Sequence, residues 1–190
     1  TELQAALLTG YYPHRLGLQR SGVGRYHAYG LDTSYTLLPE HLGRAGYSSH
    51  LVGKWHLGYC RPEYLPNNRG FDSFFGQWSH VTNYYTRLTP VSENRHKNKK
   101  SEDLTLTLQT ELPSFSGQSI LEAKIGYDLH RNEDISHDYE GMFSTEMYSQ
   151  EAIKKIRAHD KNSPLFMMVS FQAPHNPFQK PPQKYFSFYE

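Results

Sequence analysis

The run Leu165–Phe171, apolar at every position but Ser170, constrains this chain more than any other feature. It is long enough for a strand and too short for a core helix, and it shows no alternation of polar and apolar residues. Such a run predicts a strand buried on both faces of a parallel sheet. Ahead of it, Tyr148, Ala152, Ile153 and Ile156 recur at helical spacing from a candidate N-cap, Ser144, through about His159, and Lys161-Asn162-Ser163-Pro164 makes the turn. The same helix-then-strand step occurs earlier. Leu37–Ala45 reads as a helix stopped by Gly46, and Tyr47–Val52 follows as a strand. Leu3–Thr9, stopped by Gly10, is a third short helix. Two such steps with buried strands predict an α/β layered fold.

That class of fold also predicts where a site would lie, because open α/β sheets bind ligands at the carboxyl ends of their strands. Gly53-Lys54-Trp55-His56 follows the first strand, and Gln172-Ala173-Pro174-His175-Asn176-Pro177 follows the second. If the strands are parallel neighbours, the two segments meet in one crevice. In an extended chain Lys54 and His56 point to one side and Trp55 to the other. The pair suits an oxyanion: Lys54 supplies point charge, and His56 a proton donor or acceptor near neutral pH. In the second segment, Pro174 and Pro177 stiffen the position of His175.

Composition removes other classes. The 190 residues carry a formal net charge of +1, which gives no general attraction to nucleic acid or anionic membranes. No apolar run is long enough to span a bilayer, and no secretory leader opens the chain. A single cysteine, Cys60, excludes an internal disulfide framework and reads as a packed or half-exposed thiol. The remaining histidines, His80 among them, show no paired spacing of a metal site. Trp78–Glu140 is long and poor in periodicity; within it Thr105–Leu112 alternates like a peripheral strand. The mixed charge run Glu93–Asp103 reads as a solvated loop, with a cationic contact for a sulfated glycan as the alternative.

Three segments carry a family resemblance. Gly46–His56 resembles the second signature of the sulfatases, and Ala5–Pro13 and Asn68–Gly76 are similar to flanking text of the same family, closest to its arylsulfatase B, I and J group. The likeness runs from about Ala5 to Tyr185. It implies one partial sulfatase catalytic domain over 1–190, with 77–140 as an irregular insertion. The implied fold is alkaline-phosphatase-like: a mainly parallel sheet flanked by helices, incomplete at both ends. Unpaired strand edges then make the isolated chain prone to aggregate.

The resemblance also implies chemistry. Lys54 and His175 would hold the sulfate of a small sulfate ester or sulfated glycan, with His175 assisting the leaving alcohol. His56 would hold a formylglycine hydrate and help expel sulfate. Formylglycine and a calcium-like divalent cation are the family's cofactors, and this chain contains the residues of neither. The family's Cys-x-Pro-x-Arg pattern aligns with its cysteine before Thr1, and with Glu2 and Gln4 at the proline and arginine positions. Asp72 is assigned to the Arg69–Asp72 turn rather than to metal. The family is lysosomal or secreted. Two alternatives stand beside hydrolysis: a relative that binds sulfated ligands without turnover, and, less favoured, a phosphatase on the related scaffold, which would need zinc ligands not seen here.

Overall fold

The structure, a computed structural model, describes residues 2–19, 22–24, 27–92 and 123–187. The helices are α1 (Glu2–Thr9), α2 (Leu38–Arg44) and α3 (Ser144–Ala158). The strands are β1 (Ser48–Gly53), β2 (Ser73–Gly76), β3 (Leu88–Ser92), β4 (Ala123–Tyr127), β5 (His130–Arg131), β6 (Asp134–Ile135) and β7 (Leu165–Ser170). Five strands form one sheet in the order β6-β5-β2-β1-β7, while β3 and β4 make a separate antiparallel ribbon. At the centre, β1 runs parallel to both β2 and β7; β5 and β6 extend the sheet antiparallel. The expected α/β fold with a mainly parallel sheet is what the chain adopts.

Alternation along the strands divides the core into two layers. Leu51 of β1 and Phe74 of β2 face one cluster with Ala5 and Leu8 of α1, Leu37, Trp55 and Phe71. Their neighbours Val52 and Phe75 face the other, with Leu129 and with Met147, Tyr148 and Ala152 of α3. The sheet is thus covered by α1 and α2 on one side and α3 on the other. Turn chemistry sets the entry to β1. Gly46 (φ 84) ends α2 with Tyr47 N–H bonded to the Leu42 carbonyl and Gly46 N–H to that of Gly43, the paired bonds of a Schellman cap.

Several expectations are corrected. β7 is not buried on both faces: all six residues are only half-buried. It lies at the edge of the sheet, so β1 covers one flank and no described strand covers the other. In α3, Ile153 and Ile156 are exposed at 47% and 53%, and the buried stripe is Met147, Tyr148, Glu151 and Ala152. Glu151 tolerates burial because Arg131 reaches it at 2.6 Å. Ser144 is the first helical residue rather than the cap, a place taken by Phe143, and its buried hydroxyl makes no hydrogen bond. Asp72 does more than close its turn: it accepts the Ser49 N–H at 2.8 Å and so fastens β1 to the start of β2. Within 77–140 the structure places β3 to β6; Thr105–Leu112 and Glu93–Asp103 lie outside the described residues.

Where β7, β1 and β2 end, their backbones come unusually close. A Cβ on Gly53 (φ +112) would lie 2.0 Å from the Ser170 carbonyl oxygen, and one on Gly76 would lie 1.8 Å from that of Gly53. Both clashes are with backbone, which cannot swing aside. Gly53→Ala is therefore expected to destabilise the protein by about 3 kcal/mol or more. Gly43→Ala, on α2 with open space around it, should be neutral or stabilising by up to about 1 kcal/mol. Urea unfolding of the two variants checks the contrast, and equal midpoints would contradict it.

Candidate active site at the strand ends

The carboxyl ends of β1, β2 and β7 open onto the same end of the sheet, and main-chain bonds carry their alignment past the strands. Lys54 N–H bonds to Ser170 O at 2.8 Å, Trp55 N–H to Gln77 O at 2.9 Å and His56 N–H to Trp78 O at 3.0 Å. Trp55 is fully buried, its indole N–H shared between the carbonyls of Gly58 and Tyr64 at 3.0 and 2.9 Å. The indole thus anchors the segment from inside, as the sequence led one to expect. The extended run ends at His56, whose φ of 58 is rarely adopted by a residue with a Cβ. Such a conformation persists only where its surroundings fix it, and it is common at functional sites.

Lys54 and His56 are each half-buried, and burial governs their charges. Desolvation lowers the Lys54 ammonium from its ordinary value, with Glu2 opposing. Desolvation likewise pushes His56 down, to about 2, with the Lys54 cation and His80 adding to the effect and a bond to the Val23 carbonyl opposing it. His56 is therefore neutral across physiological pH. Its Nε2 lies 2.9 Å from Val23 O, and a carbonyl can only accept. The proton sits on Nε2 and the lone pair on Nδ1. A lysine and a neutral hydrogen-bond acceptor thus stand two residues apart at one strand end.

His175 lies in the loop after β7, one strand away, and is exposed. Its N–H closes a turn onto Gln172 O at 3.0 Å, and its Nδ1 lies 2.9 Å from Asn176 O, which leaves Nε2 as the accepting nitrogen. The loop is stitched to the segment after β2. The buried Gln172 amide donates to the Thr82 carbonyl, and Tyr84 O–H donates to the His175 carbonyl. Parallel pairing of β1 with β7 thus brings the expected segments to a common end of the sheet.

A further segment, the one that follows β2, joins this end of the sheet without any local sequence signal. His80 stacks on His56 with ring centroids 4.9 Å apart. Gln4, at the position where the family pattern has arginine, donates its amide to the Lys54 carbonyl at 3.1 Å. Asp128, buried, accepts the N–H groups of Trp78 and Ser79, both at 2.9 Å. The Gln4 and Asp128 contacts span roughly fifty residues of chain, and no local spacing encodes any of the three. Cys60 is exposed. Among the described residues no group of three or more His, Cys, Asp or Glu could hold a metal ion, and no helix is long and apolar enough to cross a membrane.

The neutral state of His56 has a consequence for stability. Between about pH 6.5 and about 2 the unfolded chain carries a proton on this imidazole and the folded chain does not. Stability from this group is complete above pH 6.5 and falls as pH drops below it, by at most about 1.4 kcal/mol per pH unit. Replacing His56 with Gln should flatten the loss of stability between pH 7 and pH 5 by up to one proton. Denaturation at several pH values measures it, and parallel curves would mean that His56 is charged in the fold.

Comparison with known proteins shows the family and the fold. Mouse arylsulfatase J is 34% identical over 190 residues, covering all of this chain and 27% of that protein. Rat N-acetylgalactosamine-6-sulfatase is 31% identical over 187 residues, covering 92% of this chain and 30% of its own length. The chain therefore spans under a third of the curated relatives it matches. The crystal structure of Ps i-CgsB in complex with k-i-k-neocarrahexaose shares the fold, with a TM-score of 0.70 at 23% identity, covering all of this chain and 38% of that one. The sulfatase family model matches residues 1–190, and with this agreement of sequence and fold the chain belongs to the sulfatase family.

Proposed function

We propose that this chain forms the substrate-holding side of a site that hydrolyses sulfate esters, with a sulfated sugar as the substrate class. The observation that carries the reading is the pairing of the Lys54 ammonium with the neutral His56 imidazole at the end of β1. A sulfate ester is a monoanion, and during S–O cleavage negative charge builds on the bridging oxygen. Lys54, partly desolvated, binds the non-bridging oxygens more strongly than an exposed lysine would. His175, when protonated at Nε2, can hand that proton to the departing alcohol oxygen. His56, held neutral, can accept a hydrogen bond at Nδ1, since its Nε2 is committed to Val23. The names of the relatives support an ester of a sulfated sugar, as in N-acetylgalactosamine-6-sulfatase.

In the family, a formylglycine hydrate supplies the attacking oxygen and a calcium-like cation balances the charge. The residues present do not fit either group. Cys60, the chain's one cysteine, lies exposed beyond Gly58, and the described carboxylates form no ligand cluster. Lysosomal or secreted placement and a partial sulfatase catalytic domain over 1–190 belong to the same proposal.

A second reading, binding of sulfated ligands without turnover, draws support from Gln4. This neutral amide is turned to the Lys54 carbonyl, where the family pattern has a cation. Two assays separate the readings. In calorimetric titration with inorganic sulfate, Lys54→Ala should weaken binding by roughly ten- to a hundredfold, the value of a charge-assisted contact. Unchanged affinity would remove Lys54 from the site and overturn the proposal. Release of alcohol from an aryl sulfate supports hydrolysis, and binding without release favours the second reading.

A further inference from the structure

His175 is exposed, so packing around its ring does not settle where the imidazole stands. Its Nδ1 lies 2.9 Å from Asn176 O, a contact with its own neighbour, and its N–H bonds to Gln172 O at 3.0 Å, also within the loop. A hold from another part of the fold reaches its carbonyl, which accepts the Tyr84 O–H. Tyr84 grips the loop a second time, because its N–H donates to the side-chain oxygen of Gln179. The next residue, Tyr85, donates its O–H to Lys180 O at 2.6 Å. The two Tyr84 bonds therefore bracket the stretch from His175 to Gln179. Tyr84 is itself firmly held. It is buried, and its ring lies 5.5 Å from that of Phe143, 19° from parallel, at the cap of α3. Its carbonyl accepts the Ser144 N–H at 2.9 Å and a bond from the Arg87 guanidinium. Burial raises the phenol above its ordinary value, so it stays an O–H donor across physiological pH.

We infer that Tyr84 is a positioning residue for His175: its O–H and N–H fix the loop after β7 at two points and so set the place of the imidazole at the strand ends. An exposed side chain takes its position from its main chain, and here that main chain is tied to a buried ring seated on the start of α3. A proton donor displaced by about 1 Å from the departing oxygen loses much of its effect, so the tie bears on the reaction as well as on the loop. The consequence for turnover rests on the proposed role of His175, whereas the hold on the loop can be tested without it.

The test is backbone amide hydrogen exchange, read by NMR on the full chain at neutral pH. In Tyr84→Phe, which removes one oxygen and keeps the ring on Phe143, the His175 amide should exchange about two- to tenfold faster, the value of one hydrogen bond. The amides of Lys54, Trp55 and His56, held by the sheet end, should not change. Gln179→Met removes the second grip without touching Tyr84 and should speed the same amide, which decides the matter if Tyr84→Phe does not fold. Unaltered exchange in both variants, or an equal rise at Lys54, Trp55 and His56, would overturn the inference. Turnover gives a second readout. A sugar alcohol needs a proton as it leaves, and a nitrophenol does not. Tyr84→Phe should therefore lower kcat roughly tenfold on N-acetylgalactosamine 6-sulfate and no more than about twofold on nitrophenyl sulfate. An equal loss on both substrates, with His175→Ala selective for the sugar ester, would also overturn it. If His175→Ala is not selective either, the acid role of His175 fails while the hold on its loop stands. Faster exchange in a protein without turnover likewise upholds the hold and counts against hydrolysis.

Discussion

The architecture turns on the near contact of three backbones where β7, β1 and β2 end. Neither Gly53 nor Gly76 has room for a methyl group, because a neighbouring carbonyl occupies the place of the missing Cβ. This closeness lets the strand pairing continue into the loops, so that Lys54, Trp55 and His56 each find a main-chain partner on a neighbouring segment. A sheet whose strands splayed at this end would leave those N–H groups to water and the side chains loosely aimed. Here the ladder itself delivers the cation and the imidazole to fixed places.

Burial then converts position into chemistry. A lysine and a histidine two residues apart in water would both be protonated over much of the acidic range. At the end of β1, the cost of desolvating charge falls unequally on the two. Burial lowers the Lys54 ammonium against the opposing charge of Glu2, while the imidazole beside it is driven neutral. Two groups of different charge are thereby made from residues that would otherwise be alike. The buried Asp128 accepts the N–H groups of Trp78 and Ser79 and so holds the neighbouring segment in place.

Much of this could be read from residues near one another in the chain. The two helix-then-strand steps, the glycine stop at Gly46, the inward Trp55 and the Lys54-x-His56 pair are all set by local propensity and by periods of 3.6 and 2. Their boundaries fall within a residue or two of those in the structure. Ile153 and Ile156 misled, because spacing records which residues share a helix face but not which of them another layer covers. Leu165–Phe171 misled in a related way. Its nearly continuous apolarity matches a central strand, yet its place at the sheet edge leaves it half-buried.

By itself the sequence determined the class of fold, the two strands whose carboxyl ends lie side by side, and the family, since each depends on patterns a few residues long. Only the tertiary structure decided the charge state of His56, the stacking of His80 upon it, and the hold of Asp128 on the segment between. Those properties depend on how much water is excluded and on groups some fifty positions apart in the chain meeting within hydrogen-bond distance. Desolvation and long-range contact exist only once the chain has closed on itself, so no stretch of residues read in order could contain them.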